Sequence, residues 1–498
     1  MATPPSKLTR RNFLHRAGLL VTAVGISGTV HSGLMDQITK KAVRKWGTDA
    51  LAQTPSSVKY LVEICYRLGA QVNAMFPSAG HRTPIGSQNP DLNIYSSPNN
   101  IIPLNRDGRD TYFASFTAGQ GIDRLRTVLA TTPGLETVGV AASEAIGLQT
   151  GQHTSNFASR APTGVAVCPA VLHAGSYAPA RPVQGIAWGI GIDNGTVDNQ
   201  RSAAYPSLDR VSSRGQFQSL FRELPMFFTR DELRLIVGSF DNQGSLMAGQ
   251  EGALHRIDSM WRSAQDPRTG VFNDNDTIVA NSIGGRNQST LSLAEQLDET
   301  YTTIQPNFGA TIDNPNGGAA LGQALASAAA AFSLGASSTF MVALDMGDWH
   351  TDIQAFDTAA SKQGQMNIVH GNALAGLWQS AAALPDPDGD GTIADHLLVK
   401  ITSEFTRTAL RQQNGADNGD GGTAGVVWMG KRVKNGSFGN IGGDGTITGF
   451  DSASGNLAGG PLRTEMQAYR TTLKMMGADS MAGAFGVGSA MPLDAVIK

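Results

Sequence analysis

Three aspartates and a histidine fall within the eight residues Asp345-Met346-Gly347-Asp348-Trp349-His350-Thr351-Asp352, the densest group of metal-capable side chains in the chain. They directly follow the apolar run Thr339 to Leu344, so a buried strand would deliver them to a sheet edge, where open α/β proteins place ligands. Carboxylates gathered this closely need a counter-charge, and an Asp/His set suits zinc or manganese better than calcium. The alternative is a turn in which the aspartates accept backbone N–H bonds and His350 is solvated. Asp348, His350 and Asp352 are therefore the first candidate metal ligands.

A second acidic group, Asp386-Pro387-Asp388-Gly389-Asp390-Gly391-Thr392-Ile393, matches the first half of a calcium loop. Asp386, Asp388 and Asp390 supply oxygen donors at alternating positions, with glycine at the sharp turn and Ile393 after it. The residue expected to be a bidentate glutamate is Leu397, so Asp395 or a distant carboxylate would have to replace it. The other reading is an acidic turn between a helix and a strand. His153 lies in the hydroxyl-rich stretch Thr150 to Ser155, and a lone histidine is more often structural than a ligand. Asn414 to Gly422 either brings Asp417 and Asp420 to the same edge or forms a flexible turn. The chain has no Gly-x-Ser-x-Gly, His-Glu-x-x-His or Walker sequence, and the glycines of 436–443 lack a strand-to-helix context. The glycosylation triplets at Asn194, Asn287 and Asn435 matter only in a glycosylating pathway.

The elements that must position these groups follow from hydrophobic pattern. Val58 to Tyr66 is β-branched and aromatic and reads as an early core strand; Val138 to Ala142, Val165 to Val171 and Gly185 to Ile192 are shorter strand-like runs. The stretch from Ser78 to Asp110 is rich in Pro, Asn, Gly and Ser and reads as a long surface excursion. Phe217, Leu220, Phe221 and Leu224 recur at helical spacing, as do Leu254, Ile257 and Trp261. Ala319 to Leu334 forms an apolar helix with Gly335 at its C-cap, then comes the strand Thr339 to Leu344, a helix through roughly 358–384 and the strand Leu397 to Thr402. Helix, strand, helix, strand at these lengths predicts an α/β fold with βαβ units in a parallel sheet.

Composition narrows the function. Lys and Arg total 38 against 41 Asp and Glu, a net charge of -3, which argues against a nucleic-acid footprint. The two cysteines, Cys65 and Cys168, sit in apolar runs and read as buried thiols. Thr9-Arg10-Arg11-Asn12-Phe13-Leu14, followed by the mildly apolar Ala17 to Ile26, has the layout of a twin-arginine export signal. It predicts a periplasmic or secreted protein that engages the twin-arginine export machinery and folds before crossing. Residues 1–52 read as signal and linker, with cleavage at Ala50-Leu51-Ala52 or earlier near His31 to Gly33. No segment reaches about 18 consecutive apolar residues, so no permanent membrane span is expected. The remaining chain fits one large α/β domain or two smaller ones.

Taken in order, these segments resemble the bacterial exported family called domain of unknown function 1501, which belongs with the alkaline-phosphatase and sulfatase-like proteins. The likeness covers the signal, Val58 to Pro77, Ala319 to Thr408, Gly415 to Gly439 and the helix at Arg463 to Gly477. It implies one alkaline-phosphatase-like α/β domain over 53–498, with a mostly parallel sheet flanked by helices and long loop insertions. It also implies hydrolysis of an anionic phosphate or sulfate ester with the help of a divalent metal: zinc, manganese or calcium. Asp348, His350, Asp352, His153 and Asp417 would be the ligands, and Arg407, in Glu404-Phe405-Thr406-Arg407-Thr408, would hold the anion through paired hydrogen bonds. The nucleophile stays open among Thr154, Ser155 and Thr351. The departures count against activity: a family Asp is Gln71 here, and a family His is Asn418, and neutral amides bind divalent ions weakly. The implied alternative is a non-catalytic exported binding or assembly protein.

Overall fold

The computed structural model describes residues 58–67, 72, 75–78, 101–115, 117–140, 169–174, 183, 185–189, 208–222, 293–313, 319–345, 364–387, 390–403, 425–441, 447–457, 465–483 and 488–498. The first strand, β1 (Tyr60–Arg67), is the run the sequence predicts, and its side chains alternate between two buried faces. Tyr60, Val62, Ile64 and Tyr66 point to one face, while Leu61 and Cys65 point to the other. Next come β2 (Ile101–Arg106), β3 (Arg109–Ala114), α1 (Gly121–Thr131), β4 (Glu136–Val140), α2 (Pro169–Leu172), β5 (Ile186–Trp188) and β6 (Asp209–Val211). After α3 (Arg214–Arg222) and α4 (Leu293–Ile304) follow α5 (Ala319–Ser333), β7 (Thr339–Asp345), α6 (Gly371–Ala383) and α7 (Ile393–His396). The last elements are β8 (Leu397–Ser403), β9 (Val426–Gly430), β10 (Gly436–Phe438), β11 (Asn440–Ile441), β12 (Ile447–Thr448) and α8 (Glu465–Met475).

The main sheet has eight strands in the order β10-β4-β9-β8-β1-β7-β5-β6. Five of its seven neighbouring pairs are parallel, which makes this a mixed but mostly parallel α/β sheet. β9 is the reversed strand. It begins at the edge where β8 ends, so it pairs antiparallel with β8 and β4 without a crossover. One face is covered by α1, α4, α5 and α6, whose buried side chains form a single cluster with β1, β7 and β8. α5 is buried almost all round and is closed by Gly335, whose positive φ of 61° lets Ala336 N–H reach Ala331 O at 2.7 Å. The other face carries α8, with Tyr469, Leu473 and Met476 against Trp428 and Leu398.

Two expectations are corrected. Within Val165 to Val171, residues from Pro169 onward are helical rather than extended, because Pro169 has no N–H to give a strand and suits the first turn of a helix. Within Ser78 to Asp110, β2 and β3 form a hairpin closed by Asp107-Gly108, both at positive φ, as a two-residue turn requires. The helix at Phe217 is α3, whereas Leu254, Ile257 and Trp261 lie outside the described residues. Cys65 is a buried thiol, and Cys168 lies outside the described residues. Asn435 is buried, with its amide nitrogen bonded to Leu104 O and Arg109 O, so it is closed to glycosylation. Among the described residues no helix is long and apolar enough to cross a membrane.

Candidate functional site

Parallel strands share one C-terminal rim, and here it collects many chain crossings. β1, β7 and β8 end together, with Arg67 beside Asp345 and Tyr66 beside both Leu344 and Ser403. β5 and β6 end at the same edge, Trp188 pairing with Val342 and Val211. β9 starts there and β4 ends there, since Val427 lies opposite Ile401 and Val140 opposite Val426. This is the edge at which open α/β sheets bind ligands.

Every catalytic residue and metal ligand that the sequence nominates near this edge, namely His153, Thr154, Asp348, His350, Asp352, Arg407 and Asp417, lies outside the described residues. The described strand ends bordering their segments are all at the rim. Asp348 follows the end of β7 by three residues, Arg407 follows the end of β8 by four, and Asp417 precedes β9 by nine. His153 and Thr154 follow the end of β4, which is also at the rim.

Just below the rim, a π-helical turn over Gln365–His370 leads into α6. It is wedged against α1: a Cβ on Gly371 would strike the backbone of Ile122 and Gly121, so only glycine permits the approach. Asn367 and His370 on this turn are buried. His370 stacks on Tyr66 with ring centroids 5.5 Å apart, and its Nδ1 lies 3.0 Å from the Tyr66 hydroxyl. Burial pushes the His370 pKa down to about 3 and pushes that of Tyr66 up, so both groups are neutral. The Tyr66 hydroxyl donates to the thioether of Met75 at 3.6 Å and lies 3.0 Å from His370 Nδ1. With its one proton directed at the thioether, the phenol oxygen accepts from His370 Nδ1–H, the arrangement that makes both contacts hydrogen bonds. His370 Nε2 has no partner, and neither amide atom of Asn367 has one. Each such buried group costs about 1–3 kcal/mol. Trp188 Nε1, at the end of β5, is likewise buried without a partner.

The opposite edge carries the acidic loop. Asp386, Asp390 and His396 each present a ligand-capable atom within 4.8 Å of the others, so this group could hold a metal ion. The protein already supplies a cation there. Lys59 Nζ lies 2.5 Å from Asp386 Oδ2 and 3.4 Å from Asp390 Oδ2. Tyr60 donates its hydroxyl to Asp386 Oδ1 at 2.6 Å. His396 Nε2 is 2.8 Å from the Asp390 carbonyl oxygen and 3.1 Å from Asp390 Oδ2, so it sits between backbone and carboxylate. Asp388 lies outside the described residues. Asp395, the substitute for the missing twelfth ligand, is otherwise engaged: with Thr392 it forms the capping box of α7, and it pairs with Lys431. Burial pushes its pKa up, but the bonds from Lys431 and Thr392 outweigh that and hold it near 2.

Nothing in the sequence pattern singled out Lys59 or Tyr60 as partners of Asp386, nor Tyr66, Asn367 and His370 as a group. His396 alone carried a signal, six residues beyond Asp390. No family model matches the chain, and no curated protein or solved structure matches it either.

Proposed function

We propose that this chain is an exported, metal-dependent phosphate- or sulfate-ester hydrolase-like protein on an alkaline-phosphatase-like scaffold, a divergent relative of the domain of unknown function 1501 family. One observation carries the reading: the strand ends that border His153, Asp348 to Asp352, Arg407 and Asp417 meet at a single C-terminal rim. Carboxylate and imidazole donors gathered at that edge would suit zinc or manganese, and calcium less well. A divalent ion held there polarises an ester oxygen and acidifies a bound hydroxyl or water. Asp348, His350, Asp352, His153 and Asp417 would hold it, Arg407 would clamp the anionic group through two parallel N–H bonds, and Thr154 would offer a hydroxyl as nucleophile. Export through the twin-arginine machinery to the periplasm or beyond would deliver the protein folded.

The second reading, a non-catalytic exported binding or assembly protein, draws on Lys59. The cation between Asp386 and Asp390 is an ammonium group of the protein itself, which is how a structural cluster is neutralised. Metal content of the full chain purified without chelator, compared with Asp348→Ala and His350→Ala, decides between them. Bound zinc or manganese lost in both variants, together with turnover of a phosphate or sulfate ester that falls with them, supports the hydrolase. Absence of metal in all three, or turnover indifferent to both substitutions, leaves only the scaffold.

A further inference from the structure

Between β4 and β5 the chain lays one short piece, α2 and the two residues after it, on the face of the sheet that carries α8, where it packs against β1, β7 and α8. Ala170, His173 and Ala174 on this piece are fully buried. Its start is fastened to a charge of the sheet: Ala170 N–H donates at 2.9 Å to Glu63 Oε2, the carboxylate that pairs with Lys400. Its end is fastened by an imidazole. His173 Nε2 lies 3.0 Å from the Val58 carbonyl oxygen, and Nδ1 lies 2.7 Å from Thr339 Oγ1. A carbonyl oxygen only accepts, so the one proton of the neutral ring sits on Nε2 and Nδ1 accepts from the threonine hydroxyl. His173 thereby ties the piece to the approach of β1 and to the first residue of β7, and neither nitrogen is spare.

A second proton, on Nδ1, would force the Thr339 hydroxyl to turn and would place a full charge out of reach of water. Among the described side chains, the ionisable groups on the elements packed against 169–174 are Lys59, Glu63 and Cys65 of β1 and its approach, and Tyr469, Arg470 and Lys474 of α8. Glu63 is the one carboxylate among them, and Lys400 and Ala170 N–H already hold it. An imidazolium at His173 therefore meets no free counter-ion. No strand pair of the main sheet runs through 169–174, so the piece can lift without breaking a ladder, as a local opening of the kind native proteins undergo. We infer that α2 is an acid-released latch: protonation of His173 detaches residues 169–174 from β1 and β7 and uncovers the Glu63–Lys400 pair while the sheet stays folded.

Hydrogen exchange of the full chain, read by mass spectrometry from about pH 6.5 to about pH 4.5 and corrected for the intrinsic pH dependence of amides, tests the latch. The imidazole has an ordinary pKa near 6.5 when α2 is open and about 4 when it is closed, so the stabilisation of the closed form is complete above about pH 6.5 and declines as pH falls toward 4. Protection of 170–174 should lie below that of β8 at every pH and drop by about fortyfold over this range, the factor of a single imidazole. His173→Gln keeps a neutral N–H donor for the Val58 carbonyl and does not titrate, so its protection of 170–174 should stay level. Three results would each overturn the inference: wild-type protection of 170–174 that is constant with pH, protection equal to that of β8 throughout, or a drop as steep in His173→Gln as in the wild type. Should the variant fail to fold, the wild-type comparison of 170–174 with β8 decides alone.

Discussion

Replacing Lys400 with Met strands a carboxylate at the centre of the sheet. Glu63 on β1 and Lys400 on β8 are register partners, both side chains fully buried, with Nζ and Oε1 3.1 Å apart. The second carboxylate oxygen accepts a bond from Ala170 N–H at 2.9 Å, so loss of the ammonium leaves that one donor among the described residues to support the carboxylate. Removing one partner of a buried pair costs about 3–5 kcal/mol. Against a total of about 5–15 kcal/mol for a native domain, that is a third or more of the stability. Met nearly matches the Lys stem in volume, so little of the loss comes from a cavity. Glu63→Leu together with Lys400→Met should behave differently. An apolar pair in place of a buried ion pair is neutral or stabilising by about 1–4 kcal/mol. Orphaning the Ala170 N–H takes back about 1–3 kcal/mol, which brings the double variant close to wild type. Urea denaturation of the wild type, both single variants and the double variant, followed by circular dichroism, gives the coupling directly. Single variants each costing under about 1 kcal/mol, or a double variant equal to the sum of the two, would refute the claim that these charges depend on one another. The pair also fixes β1 against β8, and a slip of one residue would exchange their faces and misalign the rim.

Acid should unfold the protein through His173 and His370, whose pKa values burial pushes down to about 4 and about 3. Their stabilising contribution is complete above about pH 6.5 and falls as pH drops toward those values, by about 1.4 kcal/mol per pH unit for each imidazole, because only the unfolded state takes up the protons. His370→Phe should flatten stability measured from pH 6.5 down to 3, and an unchanged slope would contradict the assignment. Lys59→Met removes the ammonium between Asp386 and Asp390, so a calcium- or zinc-dependent rise in melting temperature should appear in the variant and not at this loop in the wild type; equal responses of the two would contradict Lys59 as the resident cation. Asp395→Ala removes the capping box of α7 and the Lys431 pair, and should cost about 1–2 kcal/mol in denaturant titrations. A loss indistinguishable from zero would show that α7 is held by packing alone.

Buried strands and capped helices were legible because their signals are local. β7 is a continuous apolar run up to Asp345, β1 and β8 are β-branched and apolar around a single central charge, and α5 announces its end with Gly335. The β2–β3 hairpin was obscured although Asp107-Gly108 is a turn signal, because the surrounding Pro, Asn and Gly read as loop throughout. Pro169 within an apolar run marks the start of α2. The reversal of β9 had no signature, since strand direction depends on which edge the chain returns from. At the acidic loop, the oxygen donors were visible but their cation was not: Lys59 and Asp386 are 327 positions apart, and no local pattern links them. His370 is spaced like any buried position of an apolar helix, so only its packing on Tyr66 distinguishes it.

The two ends of the parallel strands differ in how their polar groups are satisfied, and that difference separates support from function. At the N-terminal end, Asp386 has Lys59 and Tyr60, Asp395 has Lys431, and His173 bridges the Val58 carbonyl and the Thr339 hydroxyl. Each charge or imidazole there is answered by the fold itself, as expected of a region that contributes stability. Near the C-terminal end the pattern reverses. Of seven buried side-chain polar atoms without a partner among the described residues, four belong to Trp188, Asn367 and His370. A fold that can place Lys59 on Asp386, 327 positions apart, has the means to satisfy an amide on the turn that leads into α6, and leaving it unsatisfied weakens the free protein. Stabilising substitutions are common when nothing opposes them. The orphans of Trp188, Asn367 and His370 thus mark the end of the sheet at which the fold leaves polar groups unanswered, in contrast with the edge at which Lys59, Tyr60 and Lys431 answer them.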